Sequence, residues 1–200
     1  MFNIDLLIGG ENVKATGGAT YDRHDPVTGE IATRAAAATV ADANKAADAA
    51  QAAFPAWAAM GPGQRRALLL KAAENLKART PDFIAAMQTE TGATAPWAGF
   101  NAMLAAGVLT EAASMTTQMS GEVIPSDTPG SLAMAVRVPA GVCLGIAPWN
   151  APIILGVRAI AMALACGNTV ILKASELCPA THRLIGDALT DAGIPPAWST

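Results

Sequence analysis

A long stretch without charged side chains, from Val138 to Val157, limits the folds open to this chain. Its length is sufficient to cross the hydrocarbon core of a bilayer as a helix. Pro139, Pro148 and Pro152 interrupt the stretch, however, and proline disrupts the interior of a helix. Buried parallel strands also produce near-continuous apolar runs, because both faces of their sheet are covered. We therefore interpret the stretch as buried strand and helix, and predict no membrane-spanning segment.

The residues after Gly141 alternate between strand-like and helix-like segments. The predicted order is strand Val142–Ala147, helix Ile153–Ala165, strand Thr169–Leu172 and helix Pro179–Ala192. Two strands joined by a helix of this length form a βαβ unit, in which the strands are parallel and the crossover is right-handed. The sequence therefore predicts an α/β fold, with the first βαβα of a Rossmann-like parallel sheet in residues 137–200.

The preceding residues, 1–136, predict a helical portion with a β-hairpin. Short strands and turns are expected in residues 4–33, with a turn at 24–30, and the hairpin in residues 121–138. Four helices are expected between them, at Val40–Met60, Gln64–Ala78, Thr80–Glu90 and Pro96–Met119. Pro55 should end or kink the first of these helices. The chain thus divides into an N-terminal portion and the beginning of a nucleotide-binding domain at residue 137.

The composition excludes one class of partner and indicates a compartment. Charged residues make up 14% of the chain and the net charge is −3, so no basic stripe exists to neutralise the phosphates of a nucleic acid. The three cysteines, Cys143, Cys166 and Cys178, are an odd number without metal-like spacing. They indicate reduced thiols and a cytoplasmic location. We also predict that the two histidines, His24 and His182, are surface groups.

Two segments follow the predicted strands at the edge where open α/β sheets bind ligands, beyond the carboxyl ends of the strands. Residues 146–150 follow the first strand and residues 173–176 follow the second. The Glu176 carboxylate can accept from the hydroxyls of a sugar diol, and the Lys173 ammonium can donate to them. The alternative is a helix start, with Ser175 as N-cap and Glu176 in the first turn.

Asn150 ends the first of these segments, and its carboxamide can donate a hydrogen bond to a developing oxyanion. The alternative is an asparagine that caps the next helix or fills a turn. The common dinucleotide fingerprint, Gly-x-Gly-x-x-Gly after a strand, is absent from the sequence.

The residues of both segments, taken with their flanks, resemble one family. Residues 138–152 read Val-Pro-Ala-Gly-Val-Cys-Leu-Gly-Ile-Ala-Pro-Trp-Asn-Ala-Pro, and residues 165–176 read Ala-Cys-Gly-Asn-Thr-Val-Ile-Leu-Lys-Ala-Ser-Glu. At this separation the two blocks are similar to the aldehyde dehydrogenase superfamily, and the similarity covers nearly the whole chain. Residues 89–126, with Trp97-Ala-Gly-Phe-Asn101, look closest to the salicylaldehyde and vanillin dehydrogenase branch.

The resemblance implies a role for each candidate residue. In this family the asparagine of Pro-Trp-Asn donates to the oxyanion of the thiohemiacetal, and here that residue is Asn150. The implied cofactor contacts are Ile146, Ala147, Pro148, Trp149, Lys173, Ser175 and Glu176. A carboxylate beside the adenosine ribose repels a 2′-phosphate, so the expected cofactor is NAD rather than NADP. The full-length parent is expected to be a homo-oligomer whose substrate is a small-molecule aldehyde.

The expected aldehyde is aromatic. Trp97 and Phe100 offer aromatic surface on which a ring can pack, and Arg158 can face a polar ring substituent. The alternatives are core packing for Trp97 and an internal salt bridge for Arg158.

The end of the chain departs from the family pattern. The catalytic cysteine and the general-base glutamate of the family, in Gly-Gln-x-Cys and Glu-Leu-Gly-Gly contexts, do not occur here. Relatives read Gly-Val-Val-Asn where this chain reads Ala197-Trp-Ser-Thr200, and loss of one G from GGC-GTG-GTC-AAC produces that change. We expect an amino-terminal fragment with an incomplete aldehyde dehydrogenase fold, truncated by a frameshift between Pro196 and Ala197 and inactive alone. The alternative is a non-catalytic fragment that at most binds nucleotide or a sister subunit.

Overall fold

The computed structural model describes residues 1–194, and the predicted frameshift point after Pro196 lies outside them. The first part contains β1 Phe2–Ile4, β2 Leu6–Ile8, β3 Glu11–Val13, β4 Thr20–His24 and β5 Ile31–Ala36. The helices α1 Val40–Ala59, α2 Pro62–Ala78, α3 Thr80–Thr91 and α4 Ala95–Met115 follow. The remaining elements are β6 Glu122–Ile124, β7 Ala133–Ala135, β8 Val142–Ile146, α5 Pro152–Ala165, β9 Thr169–Lys173 and α6 Pro179–Thr190.

The short strands expected near the N-terminus form two small sheets. Strand β5 lies between β1, which runs parallel to it, and β4, which runs antiparallel. Strands β2 and β3 form a tight hairpin. Gly9 and Gly10 connect them with φ angles of 62° and 84°, a backbone that glycine adopts without strain and that two-residue hairpins require. The predicted turn at residues 24–30 separates β4 from β5 and is confirmed.

The four predicted helices are present, and their bounds lie within one or two residues of the predicted ones except at the end of α4. Pro55 does not end α1, which continues to Ala59. Pro55 cannot donate to the Gln51 carbonyl, and both residues lie on the exposed side of the helix, where water can replace the lost partner. Helix α4 ends at Met115 rather than residue 119, and both the amide and the hydroxyl of Thr116 donate to the Ala113 carbonyl in its last turn.

The predicted βαβ unit is also confirmed. Strands β8 and β9 are parallel neighbours, with Leu144 opposite Ile171 and Ile146 opposite Lys173. Helix α5 connects them, and α6 follows β9. The expected hairpin is present as the antiparallel pair β6–β7. Gly121 stands at its start, where an added Cβ would lie 2.3 Å from a backbone oxygen of β7.

One buried apolar cluster extends from the N-terminal helices into the βαβ unit. It includes Trp57, Phe83 and Leu109 from the helices and Ile160 and Val170 from the βαβ unit. Helix α4 packs against both α2 and α5 within it. Because this core is continuous, the division of the chain at residue 137 stays a prediction. Within residues 1–194, no helix combines the length and the apolar character that a membrane crossing requires.

Candidate active site

The two segments predicted to carry the site lie side by side at one end of the β8–β9 pair. Ile146, the last residue of β8, is opposite Lys173, the last residue of β9. The Ala147 amide donates to the Lys173 carbonyl over 3.0 Å, which extends the pairing by one step beyond the strands. Residues that follow Ile146 and Lys173 therefore emerge together, at the edge where α/β sheets bind their ligands.

Lys173 and Glu176 form an ion pair at this edge. The Lys173 Nζ lies 3.2 Å from Glu176 Oε2, and the two side chains are 56% and 67% exposed. The Glu176 backbone amide and then Lys173 lower the pKa of the Glu176 carboxyl, so it is ionised at neutral pH. The pair can accept from and donate to vicinal hydroxyls of a bound sugar.

The helix-start alternative for this segment is wrong. Helix α6 begins at Pro179 with Cys178 in the N-cap position, so Ser175 and Glu176 precede it. Ser175 is buried, and its hydroxyl accepts from the Leu177 amide over 3.3 Å. It stabilises the turn between β9 and α6, which holds Glu176 at the surface beside Lys173.

An apolar cavity of about 690 Å³ opens beside this ion pair. Leu144, Ile146 and Ile171 share one face of the β8–β9 pair and form one wall, while Val40 and neighbouring alanines of α1 form another. Leu144 and Ile146 are 63% and 67% exposed, so residues 1–194 leave this sheet face largely uncovered. Apolar walls suit a flat aromatic base, and a charged pair at the rim suits the hydroxyls of its sugar.

Asn150 lies between β8 and α5 and is exposed together with Pro148 and Trp149. Ala151 is the N-cap residue of α5, and no side chain caps that helix. The alternative in which Asn150 caps the helix is therefore wrong, whereas the one in which it fills a turn agrees with its place in a bend. Its carboxamide is available to donate to a group bound beyond the end of β8.

The predicted substrate residues lie on neighbouring helices, α4 and α5. Trp97 and Phe100 are 42% and 43% exposed, and their rings are stacked with centroids 5.6 Å apart. Trp97 is thus not a fully buried core residue, and the pair presents aromatic surface. Arg158 is exposed on α5, and the ion pairs found within residues 1–194 do not include it, so the internal salt bridge is not observed.

His182 contradicts the prediction of a surface group, since it is 0% exposed in the second turn of α6. Its ring Nδ1 accepts from the Ser175 amide over 3.1 Å, and its Nε2 lies 3.2 Å from the Pro152 carbonyl. Burial lowers the pKa of His182 from 6.5 to about 4, so the ring is neutral at pH 7. The sequence carried a signal for this burial, because Ile185 and Leu189 follow at helical spacing and are also buried. His24 is exposed, as predicted.

The three cysteines are free thiols. Cys178 is fully buried, and burial raises the pKa of its thiol, so it is not a reactive thiolate. Its environment is that of a buried cysteine that packs against its neighbours rather than reacts.

Comparison with known proteins connects this arrangement to one family. The model of the aldehyde dehydrogenase family matches residues 13–198. The chain is 65% identical over 194 residues to a vanillin dehydrogenase of Pseudomonas fluorescens, a match that covers 97% of this chain and 40% of that protein.

Solved structures give the same result. A salicylaldehyde dehydrogenase of Pseudomonas putida G7, complexed with salicylaldehyde, superposes with a TM-score of 0.96 at 46% identity, over 100% of this chain and 41% of that one. An NAD-dependent benzaldehyde dehydrogenase from Corynebacterium glutamicum gives 0.93 at 32% identity, over 98% of this chain and 43% of that one. The chain thus spans about 40% of the length of the curated relatives it matches. It belongs to the aldehyde dehydrogenase family.

Proposed function

We propose that this chain forms the amino-terminal part of an enzyme that oxidises an aromatic aldehyde to a carboxylic acid with NAD as the electron acceptor. The observation that carries the proposal is that the segment ending at Asn150 and the segment of the Lys173–Glu176 pair follow adjacent parallel strands in a chain of this family. When bound, NAD would supply the hydride acceptor for this oxidation. The residues of this chain bind and orient the two reactants.

In this proposal, Lys173 and Glu176 hold the adenosine ribose. The apolar cavity beside them fits an adenine ring, and the exposed pair provides a donor and an ionised acceptor for the two ribose hydroxyls. Ser175 orients the turn from which Glu176 projects, while residues 146–149 border the cofactor. The ionised Glu176 repels the 2′-phosphate of NADP, which favours NAD.

Asn150 supplies the hydrogen bond that stabilises negative charge on the aldehyde oxygen. Asn150 lies in the segment between β8 and α5, is exposed and does not cap α5, so its carboxamide remains available to the substrate. A fixed donor of this kind stabilises the transition state more than the ground state, because the negative charge on the oxygen develops during the reaction.

The substrate proposal rests on the exposed stack of Trp97 and Phe100 and on the unpaired, exposed Arg158 within the described part of the chain. A benzaldehyde-type ring can pack on the aromatic pair, and the guanidinium can bind a ring hydroxyl. The names of the relatives, vanillin and salicylaldehyde dehydrogenases, agree with an aromatic substrate. We further propose that the full-length enzyme is a homo-oligomer and is cytoplasmic. The free cysteines agree with that location.

We propose that the 200-residue chain alone does not turn over aldehydes, because it carries the oxyanion donor and part of the cofactor site without the cysteine and glutamate contexts of the family. The second candidate function is therefore nucleotide binding without catalysis. The cavity and the Lys173–Glu176 pair favour it, since they lie entirely within residues 1–194.

The test compares the chain with a chimera that joins it to the part of the Pseudomonas fluorescens vanillin dehydrogenase beyond the match. We expect the chimera to form NADH from benzaldehyde-type substrates with a kcat/KM at least about tenfold above that for acetaldehyde. The chain alone should bind NAD, measured by calorimetry, and form no NADH. Equal efficiency on both classes of aldehyde would refute the aromatic substrate, and NADH formation by the chain alone would refute its inactivity.

A further inference from the structure

His182 contacts both segments of the proposed site, although it belongs to neither. Its two ring nitrogens face in opposite directions, one toward Ser175 and the other toward Pro152. Ser175 lies between Lys173 and Glu176, and Pro152 begins α5 two residues after Asn150. We propose that His182 is a positioning residue that fixes the cofactor-binding turn relative to the oxyanion donor. This proposal rests on the proposed function and adds a specific residue to it.

The partners determine the tautomer of the ring. A backbone amide can only donate, so Nδ1, which lies 3.1 Å from the Ser175 nitrogen, accepts and carries no proton. A backbone carbonyl can only accept, so Nε2, which lies 3.2 Å from the Pro152 oxygen, carries the proton and donates it. Only the neutral Nε2–H tautomer makes both bonds at once. The Cys178 Sγ, 3.6 Å from Nδ1, is a further weak donor to the same nitrogen.

The His182 ring is enclosed between α6 and α5. His182 is 0% exposed, and α6 packs against α5 at this point. Gly156 of α5 faces the ring, and a Cβ there would lie 3.1 Å from His182 Cδ2 and 2.7 Å from Ile185 Cδ1. Both ring nitrogens are satisfied, so the burial of this polar side chain is compensated. An aliphatic side chain would fill the same space without connecting the two segments, which distinguishes positioning from packing.

Two conservative substitutions separate the two hydrogen bonds. In His182→Asn, the side-chain carboxamide occupies the place of Nδ1 and can still accept from the Ser175 amide. It is too short to donate to the Pro152 carbonyl, so that bond is lost. The amide of His182→Gln occupies the place of Nε2 and can still donate to the Pro152 carbonyl, whereas the acceptor for Ser175 is lost. His182→Leu removes both bonds and keeps the apolar volume.

The kinetic test measures kcat and the KM for NAD in the chimera defined above. His182→Asn should lower kcat about fivefold with little change in the KM for NAD, because the segment that carries Asn150 loses the hydrogen bond from residue 182 to the Pro152 carbonyl. His182→Gln should raise the KM for NAD about fivefold with little change in kcat, because the turn that carries Lys173 and Glu176 loses its hydrogen bond to residue 182. His182→Leu should show both effects. The same substitutions at the exposed His24 are the control and should change neither constant.

A second measurement on the 200-residue chain needs no activity. The ¹⁵N shifts of the His182 ring should report the Nε2–H tautomer at pH 7, and His182→Leu should move the amide signals of both Asn150 and Glu176. If the wild-type chimera produces no NADH, the proposed function fails, and these NMR results alone decide the role of His182. An Nδ1–H or charged ring, or equal kinetic effects of the Asn and Gln variants, would overturn the proposal.

Discussion

The buried His182 makes the stability of the chain depend on pH between about 6.5 and about 4. The experiment lowers the pH from 7 to 4.5 and compares the wild-type chain with His182→Leu. In the unfolded chain the imidazole titrates near its ordinary value of 6.5, whereas in the folded protein burial lowers its pKa to about 4. Between these values the unfolded state binds a proton that the folded state does not bind.

The sign and size follow from linkage. A group whose folded pKa is lowered contributes its full stability above the unfolded pKa and loses it as pH falls toward the folded pKa. For His182 the two values differ by about 2.5 pH units, so the loss approaches about 3 kcal/mol, at about 1.4 kcal/mol per pH unit. Lys173 lowers the His182 pKa further, and Cys178, whose pKa burial raises, does not titrate in this range.

The assay is urea unfolding, followed by tryptophan fluorescence, at intervals from pH 7 to 4.5. The free-energy advantage of wild type over His182→Leu should shrink by about 2 to 3 kcal/mol over this range. Glu90, with a raised pKa, and Asp42, with a lowered one, also titrate, but they are present in both proteins and cancel in the difference. His24→Leu serves as the control. If the difference in unfolding free energy between wild type and His182→Leu stayed constant with pH, the reasoning would be refuted.

Three further substitutions test other parts of the structure. Gly156→Ala should lower the free energy of unfolding by about 1 to 3 kcal/mol, because the new Cβ would clash with Ile185 and His182. Gly107→Ala in α4 is its control and should raise that free energy by about 0.5 to 1 kcal/mol, because the space around Gly107 is open. Both are measured by urea unfolding. Glu90→Gln should lower the free energy of unfolding by about 3 kcal/mol, since the buried carboxylate accepts four hydrogen bonds, from Thr33, the Ala180 amide and both donors of Thr181. The exposed Glu74→Gln is its control, and equal effects would contradict this. Glu176→Gln in the chimera should raise the kcat/KM ratio of NADP to NAD about tenfold by removing charge repulsion, and an unchanged ratio would exclude Glu176 from cofactor selection.

Features set by neighbouring residues were predictable from the sequence. Helix α3 ends before Gly92, whose φ of 69° only glycine adopts without strain. The adjacency of Ile146 and Lys173 followed from a βαβ pattern, because parallel neighbouring strands end at the same edge of a sheet. The continuation of α1 through Pro55 was not predictable in the same way, since it depends on solvent access to a carbonyl one turn earlier.

Features set by distant residues were missed. The sequence indicates only that Glu90 lies at the end of a helix, yet its carboxylate is buried and bonds Thr33 and Thr181, 57 and 91 residues away. The polar start of its helix predicts a surface position for His182, yet it bonds Pro152, 30 residues away. No local pattern encodes such partners. The buried positions that follow His182 in α6 indicated its face, although not its hydrogen bonds.

The proposed role of Asn150 is tested most directly by the rate of NADH formation in the chimera with Asn150→Ala. If the carboxamide donates to the developing oxyanion, kcat should fall about 10²- to 10³-fold while the KM for NAD and the thermal stability stay unchanged. A variant that keeps the parent kcat, or that loses activity only because NAD no longer binds, would contradict the assignment of this exposed asparagine to the reacting centre.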